Sequence, residues 1–233
     1  GDTLQATINV GVGSHALLTT PGATRFYRSG GAWARQHIEL QVQEGARLEW
    51  LPLETIIYNG ALAQNHVSVA LAGSGSMMGW DLVCLGLPAS RAGFDTGMLH
   101  QHLQVKGRWL ERATIRADDT RLRQSRLGLV GCTVMATFWC AWGHEHAEVD
   151  ADLLLNVARD VVAQHQAAAQ EHPGPGELLP LHAGVTQAQP GVLVLRALGQ
   201  HREVLWALLR DVRRAWRRSL WSLEDHEPRV WSG

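Results

Sequence analysis

The sequence predicts a mainly β protein, a layered β-sheet or β-helix-like body with two α-helices near the C-terminus. Short stretches of alternating apolar and polar residues recur every 10 to 15 residues as far as about residue 141. Turn signals rich in Gly, Pro and Asn separate these stretches, and helical spacing begins only near Asp150. Because no helix separates the predicted strands, a doubly wound α/β sheet is excluded. Sandwich, barrel and solenoid architectures stay open.

The first strand is predicted over residues 3–10, where polar and apolar side chains alternate without interruption. The same alternation predicts strands at 37–42 and 67–71. Turns between the strands are predicted at dipeptides and tripeptides such as Pro21-Gly22, Asn59-Gly60 and Gly73-Ser74-Gly75. The apolar run 127–143 contains several glycines and threonines, and we interpret it as a pair of strands.

Two long helices are predicted after Asp150, with one strand between them. The first begins at Asp152, places apolar residues at helical spacing, and ends at the Pro- and Gly-rich segment 172–176. A strand is predicted at 192–195. The second helix is predicted over 202–220, with an apolar stripe on one side and arginines on the other. These arginines favour either a solvated face or a surface for an acidic partner.

The composition restricts the class of protein. The chain has 233 residues, a formal net charge of -1 and no long linker, which favours one domain and argues against nucleic acid as a partner. No apolar run reaches the roughly 18 to 20 residues that a membrane helix needs. Three cysteines without CxxC spacing argue against a disulfide scaffold. We therefore expect a cytoplasmic protein without a membrane partner.

Histidine pairs are the first candidates for metal ligands, since the chain has 12 histidines. His100 and His102 are two residues apart on a predicted strand, so both imidazoles point to the same side. His144 and His146 lie in a predicted loop. The alternatives are a polar strand face for the first pair and solvated loop side chains for the second. Neither pair has the further ligands of a closed zinc site.

Motifs of the common enzyme classes are absent. The sequence has no GxSxG, no HExxH and no phosphate-binding loop, and Lys106 is its only lysine. We therefore predict a protein that is not an enzyme. A stand-alone nickel- or zinc-binding protein is the alternative that the histidine count leaves open.

Three dense segments are not required by any periodicity. Residues 19–29 join a Pro-Gly turn to an aromatic pair between two arginines, and residues 48–61 contain a proline followed by a carboxylate. Residues 80–88 place Asp81 and Cys84 in an apolar strand, where an unpaired carboxylate is costly. Special loops and buried polar groups of this kind favour a functional role.

These segments resemble the urease accessory protein UreD family, called UreH in some bacteria, in residue type, order and spacing. The residues that carry the resemblance are Pro21, Gly22, Ala23, Ser29, Trp50, Pro52, Gly60, Trp80, Cys84, Gly86 and Pro88. The C-terminal Pro228-Arg229-Val230-Trp231 is also similar to the family's ending. Leu53 and Leu87 depart from the pattern, because the family usually has Gln and Arg there. Any role that the family's Gln and Arg have there is therefore not carried over to this chain.

The resemblance implies a mainly β fold and a non-enzymatic factor in urease maturation. Such a factor binds the urease apoprotein and the accessory protein UreF, and through UreF the GTPase UreG. Nickel would pass through the complex without staying bound, and GTP would belong to a partner. The resemblance covers residues 1–233 as one domain, and the start at Gly1-Asp2 lies inside a family segment that usually follows further strands. We therefore expect some N-terminal strands to be missing.

The residues themselves suggest which groups a moving nickel ion would meet. Glu54 and Asp81 are acids within apolar segments, and a conduit should hold nickel weakly through carboxylate, imidazole or water. Either acid is otherwise a core carboxylate that caps a turn or pairs with Arg25 or Arg28. A thiolate would hold nickel tightly, so Cys84 is expected to have a packing role.

Partner contacts are expected at Phe26, Tyr27 and Arg28, because aromatic and Arg residues dominate interface hot spots.

Overall fold

The computed structural model describes residues 1–87, 90, 92–146, 149–171 and 180–231 of the chain. Its strands are β1 (Thr3–Val10), β2 (His15–Leu18), β3 (Thr24–Phe26), β4 (Ala34–Val42), β5 (Arg47–Trp50), β6 (Thr55–Ile57), β7 (Ala61–Leu71), β8 (Ser76–Leu85), β9 (Gly97–Val105), β10 (Trp109–Arg116), β11 (Val134–Trp142), β12 (His182–Gln189) and β13 (Val192–Gly199). Its helices are α1 (Thr120–Gln124), α2 (Ala151–Glu171) and α3 (Arg202–Trp221), and a 3-10 turn covers Arg229–Trp231.

The strands form two sheets between which the chain alternates. The first sheet has the order β1-β4-β7-β9-β10, and the second has the order β12-β13-β11-β8-β5-β2, with β6 joining β3 to β8. In the first sheet β1, β4, β7 and β9 are parallel, and only β10 is antiparallel. Each return to the first sheet passes through a strand of the second, so the first half of the chain coils in a β-solenoid-like arrangement. The predicted mainly β, β-helix-like body is confirmed.

Apolar side chains divide the body into layers. Alternate residues of β8 face opposite ways: Met78, Trp80 and Cys84 pack in the cluster beneath α2 and α3, whereas Met77 and Val83 pack toward the first sheet. Two separate apolar clusters fill the space between the sheets. The second sheet therefore has two buried faces, which explains why β8 is buried along its whole length.

The two long helices lie where the apolar spacing predicts them. The Asp150 side chain caps α2 by accepting a hydrogen bond from the Leu153 N–H at 2.9 Å. The buried residues of α3 include Leu205, Leu209 and Trp216, which belong to the predicted stripe. Ser222, in the left-handed region with φ 53°, ends α3. The predicted helix stop at 172–176 lies outside the described residues.

The arginine face of α3 is partly solvated, as one of the two sequence interpretations has it, since the Arg214 side chain is 47% exposed. Several of its arginines also pair with acids of the same chain, which neither interpretation included. Arg210 binds Glu227, and Arg214 binds Asp225. Arg213 binds both Asp225 and the buried Glu49 of β5. These ion pairs hold the segment after α3 against the helix.

The run 127–143 is one strand, not the predicted pair. Only β11 is extended, and the residues before it form α1 and a series of turns. Val130 and Gly131 both have positive φ values, 55° and 78°, which break any extended strand at that point. The apolar residues of the turns at 127–132 resemble those of a strand in sequence, and that accounts for the error.

None of the helices in the described part of the chain combines the length and apolar character that a membrane crossing requires.

Candidate functional site

A row of polar residues from each sheet lies between the two apolar clusters that fill the space between the sheets. In the first sheet Gln36, Asn65 and Gln101 are register partners on β4, β7 and β9. In the second sheet Asp81, Thr137 and Arg196 are register partners on β8, β11 and β13. With Glu111 of β10, these residues make up what we name the polar layer: Gln36, Asn65, Asp81, Gln101, Glu111, Thr137 and Arg196.

Hydrogen bonds within the polar layer converge on Asp81, which is only 4% exposed. The Gln36 Nε2 donates to Asn65 Oδ1 at 3.1 Å, and the Asn65 Nδ2 donates to Asp81 Oδ1 at 3.1 Å. The Gln101 Nε2 donates to the other carboxylate oxygen. Burial raises the pKa of Asp81 to about 6, and the two amide hydrogen bonds only partly oppose this effect. Both groups that donate hydrogen bonds to the Asp81 carboxylate are uncharged amides.

The other end of the polar layer holds a second carboxylate. The Thr137 Oγ1 donates to Glu111 Oε1 at 3.0 Å, and the Arg196 Nε donates to Glu111 Oε2 at 2.9 Å. Glu111 lies close enough to Asp81 that its charge also raises the pKa of Asp81. Two carboxylates thus share one layer, and Arg196 neutralises one of them.

One buried acceptor in this layer is unused. The Gln101 Oε1 atom is buried and has no hydrogen-bond partner among the described residues. Carboxylate, amide and hydroxyl oxygens are common ligands of divalent cations. The polar layer therefore presents oxygen atoms that a divalent ion can contact.

The structure does not bring Glu54 and Asp81 together. Glu54 pairs with Arg202 at 3.4 Å and, with Cys84 and Leu87, lines a cleft of about 180 Å³ at the start of α3. This cleft lies on the helix side of the second sheet, whereas Asp81 faces the first sheet. Neither acid pairs with Arg25 or Arg28 among the described ion pairs, so that part of the sequence alternative is wrong, while the buried Asp81 is still compatible with a core carboxylate.

The thiol of Cys84 packs in the apolar cluster beneath the helices. Burial and the nearby Glu54 raise the pKa of Cys84 to about 12, so the side chain stays a neutral thiol at physiological pH. This state suits the predicted packing role.

The histidine pairs do not assemble a metal centre. His100 and His102 share the outer face of the first sheet, as predicted, but His100 stacks on Trp33 at 4.4 Å and His102 on His66 at 4.1 Å. His144 contacts Arg108 and Glu145, and His146 lies two residues beyond it. Within the described ranges, no three His, Cys, Asp or Glu side chains are placed to hold a metal ion.

The stacked His66 gives an acid-sensitive contribution to stability. Burial, with His102 and His37 close by, lowers the pKa of His66 from 6.5 to about 4. Because the unfolded chain takes up this proton first, His66 favours unfolding increasingly as the pH falls from 6.5 toward 4. We expect His66→Asn to weaken the fall in unfolding free energy between pH 7 and pH 5, measured with urea. The exposed His226→Asn serves as control, and equal pH profiles for the wild type and His66→Asn would contradict the expectation.

The expected partner residues differ in accessibility. Tyr27 is 60% exposed and stacks on Tyr58 with 4.9 Å between the ring centroids. Arg28 is exposed beside it, and both line a cleft of about 520 Å³. Phe26, in contrast, belongs to the core and offers almost no surface. Tyr27 and Arg28 are therefore the accessible members of the predicted contact.

The other residues of the dense segments connect those segments to one another. The Trp80 Nε1 donates to the Pro52 carbonyl oxygen at 2.8 Å, and the Leu53 N–H donates to Thr20 Oγ1 at 2.9 Å. Gly86 has a φ of 80°, and a Cβ there would lie 2.6 Å from the Ala92 carbonyl oxygen. Leu53 and Leu87 both pack against the core beneath the helices. Pro88 lies outside the described residues.

The remaining residues of these segments occupy turns and the strand β5. Pro21, Gly22 and Ala23 precede β3, Gly60 turns the chain into β7, and Ser29 donates to the Ala32 carbonyl oxygen at 2.5 Å. Trp50 is buried at the end of β5. These residues therefore shape the loops and the core around the polar layer without entering it.

Comparison with known proteins identifies one family. The family model described as UreD urease accessory protein matches residues 1–232. The urease accessory protein UreD of Leptothrix cholodnii is 43% identical over 231 residues, which cover 99% of this chain and 79% of that protein. The protein of the same name from Methylibium petroleiphilum is 45% identical, with 99% of this chain and 78% of that protein covered. The chain therefore belongs to the UreD family of urease accessory proteins.

Proposed function

We propose that the protein is a non-enzymatic factor that binds urease apoprotein and the accessory protein UreF, and through UreF the GTPase UreG, and that nickel crosses its polar layer on the way to urease. The observation that carries this proposal is a buried carboxylate inside a polar layer of a chain that belongs to the UreD family. Nickel is the cargo in this proposal and not a resident cofactor. The three free, buried cysteines favour a cytoplasmic location.

The chemistry of the polar layer suits transit better than storage. Asp81 and Glu111 supply carboxylates, and Gln101 and Thr137 supply neutral oxygens. No thiol or imidazole belongs to the layer. A divalent ion held by a few oxygens and water exchanges readily, which a delivery path requires. With a pKa of about 6, Asp81 is mainly ionised at neutral pH and can attract such an ion.

The exposed aromatic and arginine side chains around Tyr27 support the proposed partner contacts. Tyr27 and Arg28 present an aromatic ring and a guanidinium on one side of the body, next to Arg25 and Arg35. Exposed aromatic and Arg residues are the usual anchors of protein interfaces. This side also borders Gln36, the first residue of the polar layer, so a partner bound there would lie beside one end of the path.

The decisive experiment is nickel-dependent activation in cells that express urease together with the full set of accessory proteins. We expect Asp81→Asn to lower nickel incorporation and urease activity by roughly tenfold or more, as losses in a metal ion's surroundings typically do. Pull-down of urease and UreF should be unchanged, since Asp81 is buried. Activation at the wild-type rate would show that the path does not use this layer.

Two further variants locate the path. Glu54→Gln alters the cleft on the helix side of the second sheet. If Glu54→Gln loses urease activation while Asp81→Asn activates urease normally, the nickel path runs through that cleft and not through the polar layer. Glu224→Gln changes an exposed carboxylate after α3 and serves as the matched control. Failure of the wild-type chain to capture urease or UreF would contradict the proposed function itself.

A further inference from the structure

We infer that Arg196 is a displaceable counter-ion that closes one end of the polar layer to cations by occupying Glu111. This inference rests on the proposed function only in taking nickel as the ion that the layer admits. The inference adds a residue that controls whether a cation can reach Glu111 in the polar layer.

The two partners differ in their freedom to move. The Glu111 side chain is 13% exposed and is held by Thr137, whereas the Arg196 side chain is 54% exposed. Both the Nε and Nη2 atoms of Arg196 bond to the same oxygen, Oε2 of Glu111. An ion pair with one solvated partner contributes little net stability, so the guanidinium can leave at low cost. The carboxylate would stay in place.

The position of Arg196 in its strand is unusual for a purely structural side chain. It lies between Val194 and Leu198 on the face of β13 that is directed at the first sheet. Apolar residues occupy the neighbouring inward positions, and the guanidinium of Arg196 meets Glu111 of the first sheet. Arg196 therefore has a specific electrostatic partner that its neighbours lack.

Departure of Arg196 changes the electrostatics of the polar layer. Thr137 is the register partner of Asp81 and donates to Glu111, so one residue of β11 is adjacent to Asp81 in the sheet and bonded to Glu111. With Arg196 in place, one of the two negative charges is compensated. Without it, both face the layer together with the unpartnered Gln101 Oε1 atom. Two carboxylates that share a site attract a divalent cation strongly and repel each other when it is absent.

The test measures nickel binding by the isolated full chain, with nickel chloride titrated at pH 7.5 against a chromogenic chelator. We expect Arg196→Gln to bind nickel about tenfold more tightly than the wild type, which corresponds to about 1.4 kcal/mol of binding free energy. The gain should disappear in the double variant Arg196→Gln with Glu111→Gln. Arg202→Gln removes a different Arg–Glu pair, at 3.4 Å on the helix side, and should bind like the wild type.

The outcomes separate this inference from the proposed function. Nickel affinity of Arg196→Gln equal to or weaker than that of the wild type would overturn it, even if Asp81→Asn fails to activate urease. A gain that persists in the double variant would also overturn it, because the gain would not come from Glu111. If Arg196→Gln does not fold by circular dichroism, Arg196→Thr decides. Threonine also removes the charge and suits a β-strand, so tighter nickel binding supports the inference and unchanged binding overturns it.

Discussion

Replacement of Arg213 by methionine is expected to lower the free energy of unfolding by about 3–5 kcal/mol, the usual result of breaking a buried ion pair. Arg213 of α3 is fully buried. Its Nε donates to Glu49 Oε2 at 2.7 Å, its Nη1 to Asp225 Oδ1 at 2.9 Å and its Nη2 to the His226 carbonyl oxygen at 2.9 Å. Methionine fills the volume but leaves all three acceptors without this donor.

Glu49 is the reason for the size of this effect. Burial by itself raises the pKa of Glu49, but the hydrogen bond from His15 and the charges of Arg213 and Arg217 outweigh burial and hold the pKa below its ordinary value. A carboxylate with a lowered pKa stabilises the fold above its unfolded pKa and loses that contribution as the pH falls. The loss caused by Arg213→Met should therefore be larger at pH 7 than near pH 4.

A neighbouring arginine provides the matched control. Arg214 pairs with Asp211 and Asp225, but its side chain is 47% exposed. Arg214→Met should therefore change the free energy of unfolding by less than about 1 kcal/mol. Urea unfolding of the three proteins at pH 7 decides the matter. Equal losses for the two variants would mean that burial of Glu49 and Arg213 does not determine the cost.

The sequence predicts the fold well where one periodicity dominates a segment. Alternation locates β1 over residues 3–10, and the apolar stripe locates α3 within one residue of its observed end. It fails at β12, where Val185 is the only buried residue and the strand has almost no apolar pattern. Pairing between strands that are distant in the chain leaves no local signal, so the solenoid-like coiling could not be chosen over a barrel or sandwich.

The candidate site is only partly readable in the sequence. Asp81 is noticeable because a carboxylate interrupts an apolar strand, but its partners on β7 and β9 are not. A sequence signal does exist: Gln36, Asn65 and Gln101 each occupy an inward position in a row of otherwise apolar side chains. The pair formed by Glu111 and Arg196 has no such signal, because 85 residues separate its members.

Two histidines spaced to point to the same side of a strand do not by themselves predict a metal site. His100 and His102 do point the same way from β9, yet each ring meets a different aromatic neighbour on an adjacent segment. Spacing within one strand fixes direction, whereas convergence on an ion depends on strands that the sequence does not align. The same limit explains why Glu54 and Asp81, both acids in apolar segments, lie on opposite sides of the second sheet.

Replacement of Asp81 by asparagine is expected to stabilise the fold at alkaline pH. Burial raises the pKa of Asp81 from 3.8 to about 6, so the native state holds this proton more tightly than the unfolded chain. A raised carboxyl pKa makes the fold lose stability as the pH rises from about 4 through 6. About two pKa units correspond to about 3 kcal/mol. The variant, with no charge to bury, should lack this loss.

The hydrogen bonds around Asp81 can adapt to the asparagine. Its carbonyl oxygen can accept from Asn65, and its amide needs an acceptor that a flipped Gln101 supplies, since Gln101 Oε1 has no partner among the described residues. Urea unfolding should therefore show variant and wild type nearly equal at pH 4 and the variant more stable by about 2–3 kcal/mol at pH 8. Asp160→Asn, an exposed change on α2, controls for the loss of one charge. A difference independent of pH would contradict this account. The predicted difference would mean that the fold gives up stability at neutral pH to keep a carboxylate where the proposed nickel path requires one.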